Sequence, residues 1–393
     1  MFNNFINSSN GTRCIRDLTE NLESRSIRIL RLNRNNSFFS RLKNKLNINF
    51  SNKNFKIIRK NANKGDWLLA CDTTPPYLLR NARKYGVKII WWQLAPYKFL
   101  GSNQMPKVGD YSLPFSSYTD PESKIYFYYQ PDLGFEWKRA LEKIKSKKRG
   151  RTLKICLYNG KGRLCKLNKN LSQFLLKYQI EVITRTKPKH KSDYFNSLLG
   201  CDGLISFDEL TQTNLEAASL GIPVYLANPL FPKNCLEKFN IQELSARITS
   251  SPEKFISMLK KEDFKLKPFD VDYLKSSNKI TINNFINIVT GDLLLKPLQK
   301  KQINSYKKYS RTLMSKKVIF PYVNGGQAPS SLLIKNYVNN ISEENNYIFH
   351  LIIVFDFLGH ILYKLGLIRI CEILFLKAKS FFEKIQKLNN FFR

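Results

Sequence analysis

Twice in this chain, short apolar runs alternate with single helix-length segments, and that alternation limits the fold more than any other feature. In GDWLLACDTTPPYLLRNARKYGVKIIWWQLAP the spacing predicts a strand over Trp67–Cys71, a Thr-Thr-Pro-Pro break, a helix over Tyr77–Lys84 stopped by Gly86, and a strand over Val87–Trp92. Pro75 and Pro76 suit a helix start, where a missing N–H costs nothing. Past the charge run KIKSKKRGR the pattern resumes: strand Leu153–Tyr158, loop NGKGRL, helix near Leu171–Lys177, strand Ile180–Thr184, a basic loop, helix Tyr194–Leu199 and strand Gly203–Phe207. FDELTQTNLEAASLGIPVYL then supplies one more helix and strand. Strands joined by single helices pair in parallel and are covered by helices on both faces.

Upstream, CIRDLTENLESRSIRILRLNRN reads as a helix with Ile15, Leu18 and Leu22 on one face, feeding a short strand. Gly109 to Pro131 reads as short extended pieces joined by turns. A chain of 393 residues suits two domains and an appendage. The expected architecture is therefore α/β: a first domain over 1–140, a second over 151–300 and a helical C-terminal segment over 327–393, the two domains facing each other across a cleft. In open parallel sheets ligands collect beyond the carboxyl ends of the strands, so the loops after strands are where chemistry is sought.

The net charge of +35 makes polyanions natural partners: nucleic acid, anionic lipid or a phosphorylated substrate. The basic residues are scattered and form no recognition motif, which argues against nucleic acid, and the richness in Asn, Ile and Lys makes part of the charge a matter of composition. Cys14, Cys71, Cys156, Cys165, Cys201, Cys235 and Cys371 are odd in number, far apart and without a CxxC pair, so thiols in a reducing compartment are expected. MFNNFINSSNGTRC lacks the charged start and apolar run of a secretory signal, which points to the cytoplasm.

Asp208 and Glu216 lie eight positions apart around ELTQTNL. A helix starting near Thr211 or Thr213 would offer its free N–H groups and dipole to an anion, while Glu216 accepts hydrogen bonds from two neighbouring sugar hydroxyls and Asp208 reaches a second sugar. The plainer alternative is that Asp208 or Thr211 caps the helix and Glu216 is a favourable first-turn acid. In NGKGRL, Gly160 and Gly162 would let the backbone approach a ligand, and Lys161 and Arg163 would neutralise a diphosphate; the spacing is not that of a Walker A loop.

The run from Asp208 through Glu216 and Ala217 to Gly221, Pro223 and Val224 resembles the donor-site signature of GT-B glycosyltransferases of the family 4 type, although the first acid is normally Glu. The resemblance implies two Rossmann-like domains, Glu216 on the ribose of a nucleotide-sugar, Asp208 facing the donor sugar, the helix start at Thr211 and Thr213 receiving phosphate, and Lys161 and Arg163 binding the diphosphate. Arg185 is a further candidate for the base or phosphate, or a solvated arginine. The resembling enzymes also place a small-residue turn near their start, and SSNGT with Gly11 and Thr12, ahead of the first helix, is the matching stretch; a helix cap explains it equally well.

If the reaction inverts, a group in the first half must take the acceptor proton. No histidine falls there, so Asp72 leads, with Asp110 and Asp120 behind it and a turn role as the alternative. Asp72 and Asp208 are thus the candidate catalytic carboxylates. WWQLAPY offers aromatic faces and Gln93 to an acceptor sugar, one of Trp91 and Trp92 pointing into packing and the other toward a surface. No metal ligand set and no cofactor are expected. The implied activity is metal-independent transfer of a sugar to a glycan or lipid-linked acceptor in cell-surface polysaccharide or lipopolysaccharide synthesis. A nucleotide-sugar epimerase of the same fold and a basic nucleic-acid-binding protein are the alternatives.

From Ile348 the chain is densely apolar but interrupted by His350, Asp356, His360, Lys364 and Arg369, short of a clean span of about 20 apolar residues. Asp356, His360 and Lys364 share one helical face. A helix lying at an anionic membrane surface, on the inner face of the plasma membrane, and helices packed on the protein are both open.

Overall fold

In the computed structural model, the described residues are 10–24, 63–71, 76–94, 105–129, 153–159, 164–184, 190–208, 211–227, 245–260, 271–316 and 347–364, with shorter pieces between and beyond them. The chain divides into two compact units, one of residues 1–132, 238–240 and 270–312, the other of 133–237, 241–269 and 313–393. Both are α/β and both sheets are wholly parallel.

The first unit holds a three-stranded sheet in the order β1 (Trp67–Ala70), β2 (Lys88–Gln93), β3 (Tyr111–Pro114). The helix between the first two strands, α2 (Pro76–Lys84), stops where the sequence predicts. Gly86, at φ 70°, adopts the left-handed conformation that lets Val87 N–H reach Ala82 O and Gly86 N–H reach Arg83 O, capturing two carbonyls that the helix end leaves free. One sheet face, carrying Ile90, Trp92 and Leu113, packs against Cys14, Leu18 and Leu22 of α1 (Asn10–Glu23) and Ile282, Phe285 and Ile288 of α7 (Val271–Thr290). The other face, with Ile89 and Trp91, packs against Leu79 and Ala82 of α2 and Ile303 and Tyr306 of α8 (Lys300–Lys316).

Three expectations change here. Trp91 and Trp92 are both buried, because helices cover both faces of the sheet. The second unit does not run continuously from 151 to 300: at 270 the chain returns to the first unit, where α7 and α8 bury their apolar faces. Gly11 and Thr12 lie in the first turn of α1 itself rather than in a turn ahead of it. The strand expected after α1 falls outside the described residues.

The second unit holds five strands in the order β5-β4-β6-β7-β8: β4 (Lys154–Asn159), β5 (Gln179–Thr184), β6 (Gly203–Ser206), β7 (Val224–Leu226) and β8 (Ile248–Thr249). Ile155, Leu157, Ile205 and Tyr225 form a core with Leu171 and Leu175 of α3 (Lys169–Leu175), Phe255 and Leu259 of α6 (Pro252–Lys260) and Ile352 of α9 (Tyr347–Lys364). On the opposite face lie α4 (Lys191–Gly200), whose Ser197 carbonyl oxygen lies 3.4 Å from Cys156 Sγ, and α5 (Gln212–Ser219). Gly221, at φ 82°, ends α5 as Gly86 ends α2, with Ile222 N–H on Ala217 O and Gly221 N–H on Ala218 O.

The fold also overturns the reading of all seven cysteines as thiols, since Cys156 in β4 and Cys201 at the end of α4 form a disulfide with Cα atoms 5.9 Å apart. With Glu181 they bring three potential metal donors within 4.8 Å of one another, a grouping no motif predicts. In this state the sulfurs are bonded to each other, and Glu181 is held by Lys154 and Ser197. Burial pulls the Glu181 carboxyl upward, but those two partners win and hold it below its ordinary value.

Candidate functional site

The strand order decides where a ligand site belongs in the second unit. From β4 the chain crosses to β5 on one side and then to β6 on the other, so the crevice outside the carboxyl ends of β4 and β6 is the topological switch point of the sheet. Pairing of Tyr158 with Ser206 sets Asn159 and Phe207 side by side at that edge, and Asp208 follows at once.

Asn159 shares a sheet face with Ile155 and Leu157, yet it carries an amide. It is 2% exposed, and neither its Nδ2 nor its Oδ1 has a hydrogen-bond partner among the described residues. A buried amide without partners costs about 1–3 kcal/mol, so such a group calls for a compensating role.

Thr211 occupies the N-cap position of α5 with extended backbone, but its side chain makes no capping bond. Its Oγ1 and the Nε2 of Gln212 are buried and also without partners among the described residues. The first-turn N–H groups of a helix have no acceptor within it, and the dipole favours an anion there. The plain expectation of a threonine capping bond is thus not met, although the Thr211 carbonyl accepts from Asn214 N–H at 3.1 Å and Leu215 N–H at 3.2 Å.

Glu216 lies one turn further along α5 and is 5% exposed. The Tyr194 hydroxyl, from the first turn of α4, donates to Glu216 Oε2 at 2.7 Å, and the Thr213 side chain hydrogen-bonds the same phenol oxygen. Burial, reinforced by the Glu216 charge, pushes the Tyr194 phenol well above its ordinary value, so it remains a donor throughout the physiological range. Asp208 is buried as well, its backbone N–H donating to Ser206 Oγ at 3.2 Å.

Four of the residues singled out in the sequence, Asp208, Thr211, Thr213 and Glu216, therefore belong to one end of one sheet. Gly160, Lys161, Gly162, Arg163, Arg185 and Asp72 lie outside the described residues; Gly160 to Arg163 follow Asn159 directly in the sequence. Sequence reasoning missed Asn159 and Tyr194. For Asn159 a signal existed, an amide where the alternation calls for an apolar residue. For Tyr194 none did, since its contact with Glu216 spans 22 positions.

In the first unit Gln93 ends β2, buried, with Nε2 donating to Thr119 O at 2.7 Å while Oε1 lacks a partner among the described residues. Asp110 is held by Arg83 (Nε to Oδ1, 3.1 Å), the Trp91 indole N–H (2.9 Å) and Lys107 N–H (2.8 Å), which makes it an anchor rather than a base. Asp120 accepts from Glu122 N–H at 3.0 Å and hydrogen-bonds Tyr306. Burial outweighs these contacts and raises its carboxyl above the ordinary value.

Compared with family models, curated proteins and solved structures, the chain matches none.

Proposed function

We propose that the second unit binds a nucleotide-sugar and that the protein is a GT-B-type glycosyltransferase transferring that sugar to a glycan or lipid-linked acceptor. The observation that carries the reading is Asn159, a buried amide with donor and acceptor both unused, at the switch point that the start of α5 also borders. An amide of this kind suits a nucleobase edge or ribose hydroxyls. Glu216, already oriented by Tyr194, suits a pair of sugar hydroxyls, and the helix start suits phosphate.

In this reading the acceptor oxygen bonds to the anomeric carbon as the bond to the nucleoside diphosphate breaks. The acceptor proton passes to a carboxylate, with Asp72 the candidate if the reaction inverts. Charge developing on the departing diphosphate is met by the donors of α5 and by Lys161 and Arg163.

Calorimetric titration of the full chain with UDP-, GDP-, ADP- and dTDP-linked sugars tests the reading. At least one should bind, and Glu216→Ala should weaken it roughly tenfold or more, as expected for a lost charged hydrogen-bond acceptor. Absence of binding across the set, or an unchanged affinity in Glu216→Ala, overturns it.

A further inference from the structure

The C-terminal helix α9 is apolar on every side but the one that carries Asp356, His360 and Lys364, and an apolar helix face is stable where apolar neighbours cover it. One side meets that condition: Ile352 is fully buried in the core of the second unit, with Leu351, Ile353, Phe355 and Leu362 packed against it. The other does not. Val354, Leu358 and Ile361, spaced to share a face, are 49%, 41% and 36% exposed. Beyond the helix, where Leu367 N–H closes the end on Leu362 O, the exposed positions continue as Leu367, Ile370 and Ile373 at 41%, 50% and 53%.

Lys377 and Lys384 follow at helical spacing and are exposed too. The surface is therefore apolar side chains bordered by lysines, on a chain of net charge +35. No helix of the described residues is long and apolar enough to cross a membrane. An apolar face flanked by lysines inserts among acyl chains while the ammonium groups stay at the headgroups, and each basic residue gains from negative lipid.

We propose that this face, from Val354 to Lys384, docks in the interface of an anionic lipid bilayer and holds the protein against it without spanning it. A second copy of the chain would have to set like-charged surfaces together, which the net charge disfavours. The inference is independent of the nucleotide-sugar reading: either can fail while the other stands.

The test is co-sedimentation of the full chain with vesicles of phosphatidylcholine alone and of phosphatidylcholine with phosphatidylglycerol. The variant is Leu358→Gln/Ile361→Gln/Ile370→Gln/Ile373→Gln, which leaves the net charge unchanged, so attraction to anionic lipid by the rest of the surface is held constant. Wild type should bind the anionic vesicles and not the neutral ones. The variant should show roughly tenfold or greater loss of partitioning while retaining its urea midpoint. Equal partitioning of variant and wild type overturns the proposal, as does failure of wild type to bind. A dimer in size-exclusion chromatography that the same substitutions dissolve would likewise overturn it, by assigning the face to a second copy.

Discussion

The carboxyl ends of the two parallel sheets are chemically unlike. In the first unit the chain after β3 turns back over the strand ends and uses most of its polar groups on itself: Phe115 N–H reaches Gln93 O at 3.1 Å, the Thr119 hydroxyl donates to Ser116 O at 2.7 Å, and the Gln93 amide donates to Thr119 O at 2.7 Å, with Gln93 Oε1 left without a partner among the described residues. In the second unit the strand ends leave Asn159, Thr211 Oγ1 and Gln212 Nε2 buried without partners among the described residues. A parallel sheet must bring polar groups to its carboxyl edge, and the chain can spend them on its own backbone or keep them for a ligand. Unspent buried groups are costly, so where they cluster is more informative than where polar residues are merely frequent.

The largest effect that sharpens this contrast should come from Asp110, the anchor of the first unit. Asp110→Ala strands the Arg83 guanidinium and the Trp91 indole N–H, and should cost about 3–5 kcal/mol in urea unfolding. A loss below about 1 kcal/mol would mean that the network contributes little beyond a surface ion pair. Next comes Tyr194→Phe, which removes the donor to buried Glu216 and should cost about 1–3 kcal/mol. It should also weaken nucleotide-sugar binding, because Glu216 loses its orientation; intact binding would separate the pair from the ligand.

Two amide-to-leucine changes place the sheet ends in direct opposition. Gln93→Leu removes a made hydrogen bond and should destabilise by about 1 kcal/mol. Asn159→Leu removes only unmade ones, so stability should hold or rise by up to roughly 1 kcal/mol while nucleotide-sugar binding is lost. Unfolding midpoints that shift the same way in both variants would break the comparison.

The smallest expected effect is pH-dependent. Glu181 is held below its ordinary value of 4.5, so its contribution is present above that value and is lost as pH falls through the depressed one. Glu181→Gln should therefore lower the urea midpoint near neutral pH, and the difference should vanish in acid. A difference that grows on acidification would reverse the assignment.

Much of the fold was legible because its signals are local. The strand at Trp67 and the helix before Gly86 follow from apolar spacing and stop chemistry within a few residues, as does the helix-to-strand step at Gly221. The site was half legible. Asp208, Thr211, Thr213 and Glu216 sit within one βα unit, and their acid and hydroxyl types drew attention. Asn159 looked like the first residue of a glycine-rich loop until the sheet gave it an apolar neighbourhood and no partner.

The amino-acid sequence by itself determined the parallel α/β class, the alternation of strands and helices over Trp67–Trp92 and Leu153–Leu226, and the glycine stops at Gly86 and Gly221, since periodicity and turn geometry act over about one element. Only the tertiary structure decided that both tryptophans of β2 are buried, that the chain returns to the first sheet through α7, where Thr281 donates to Tyr128 O across 153 positions, and that Cys156 meets Cys201 across 45. These pairings depend on which faces the helices cover once the sheets have formed, and no local pattern carries that information.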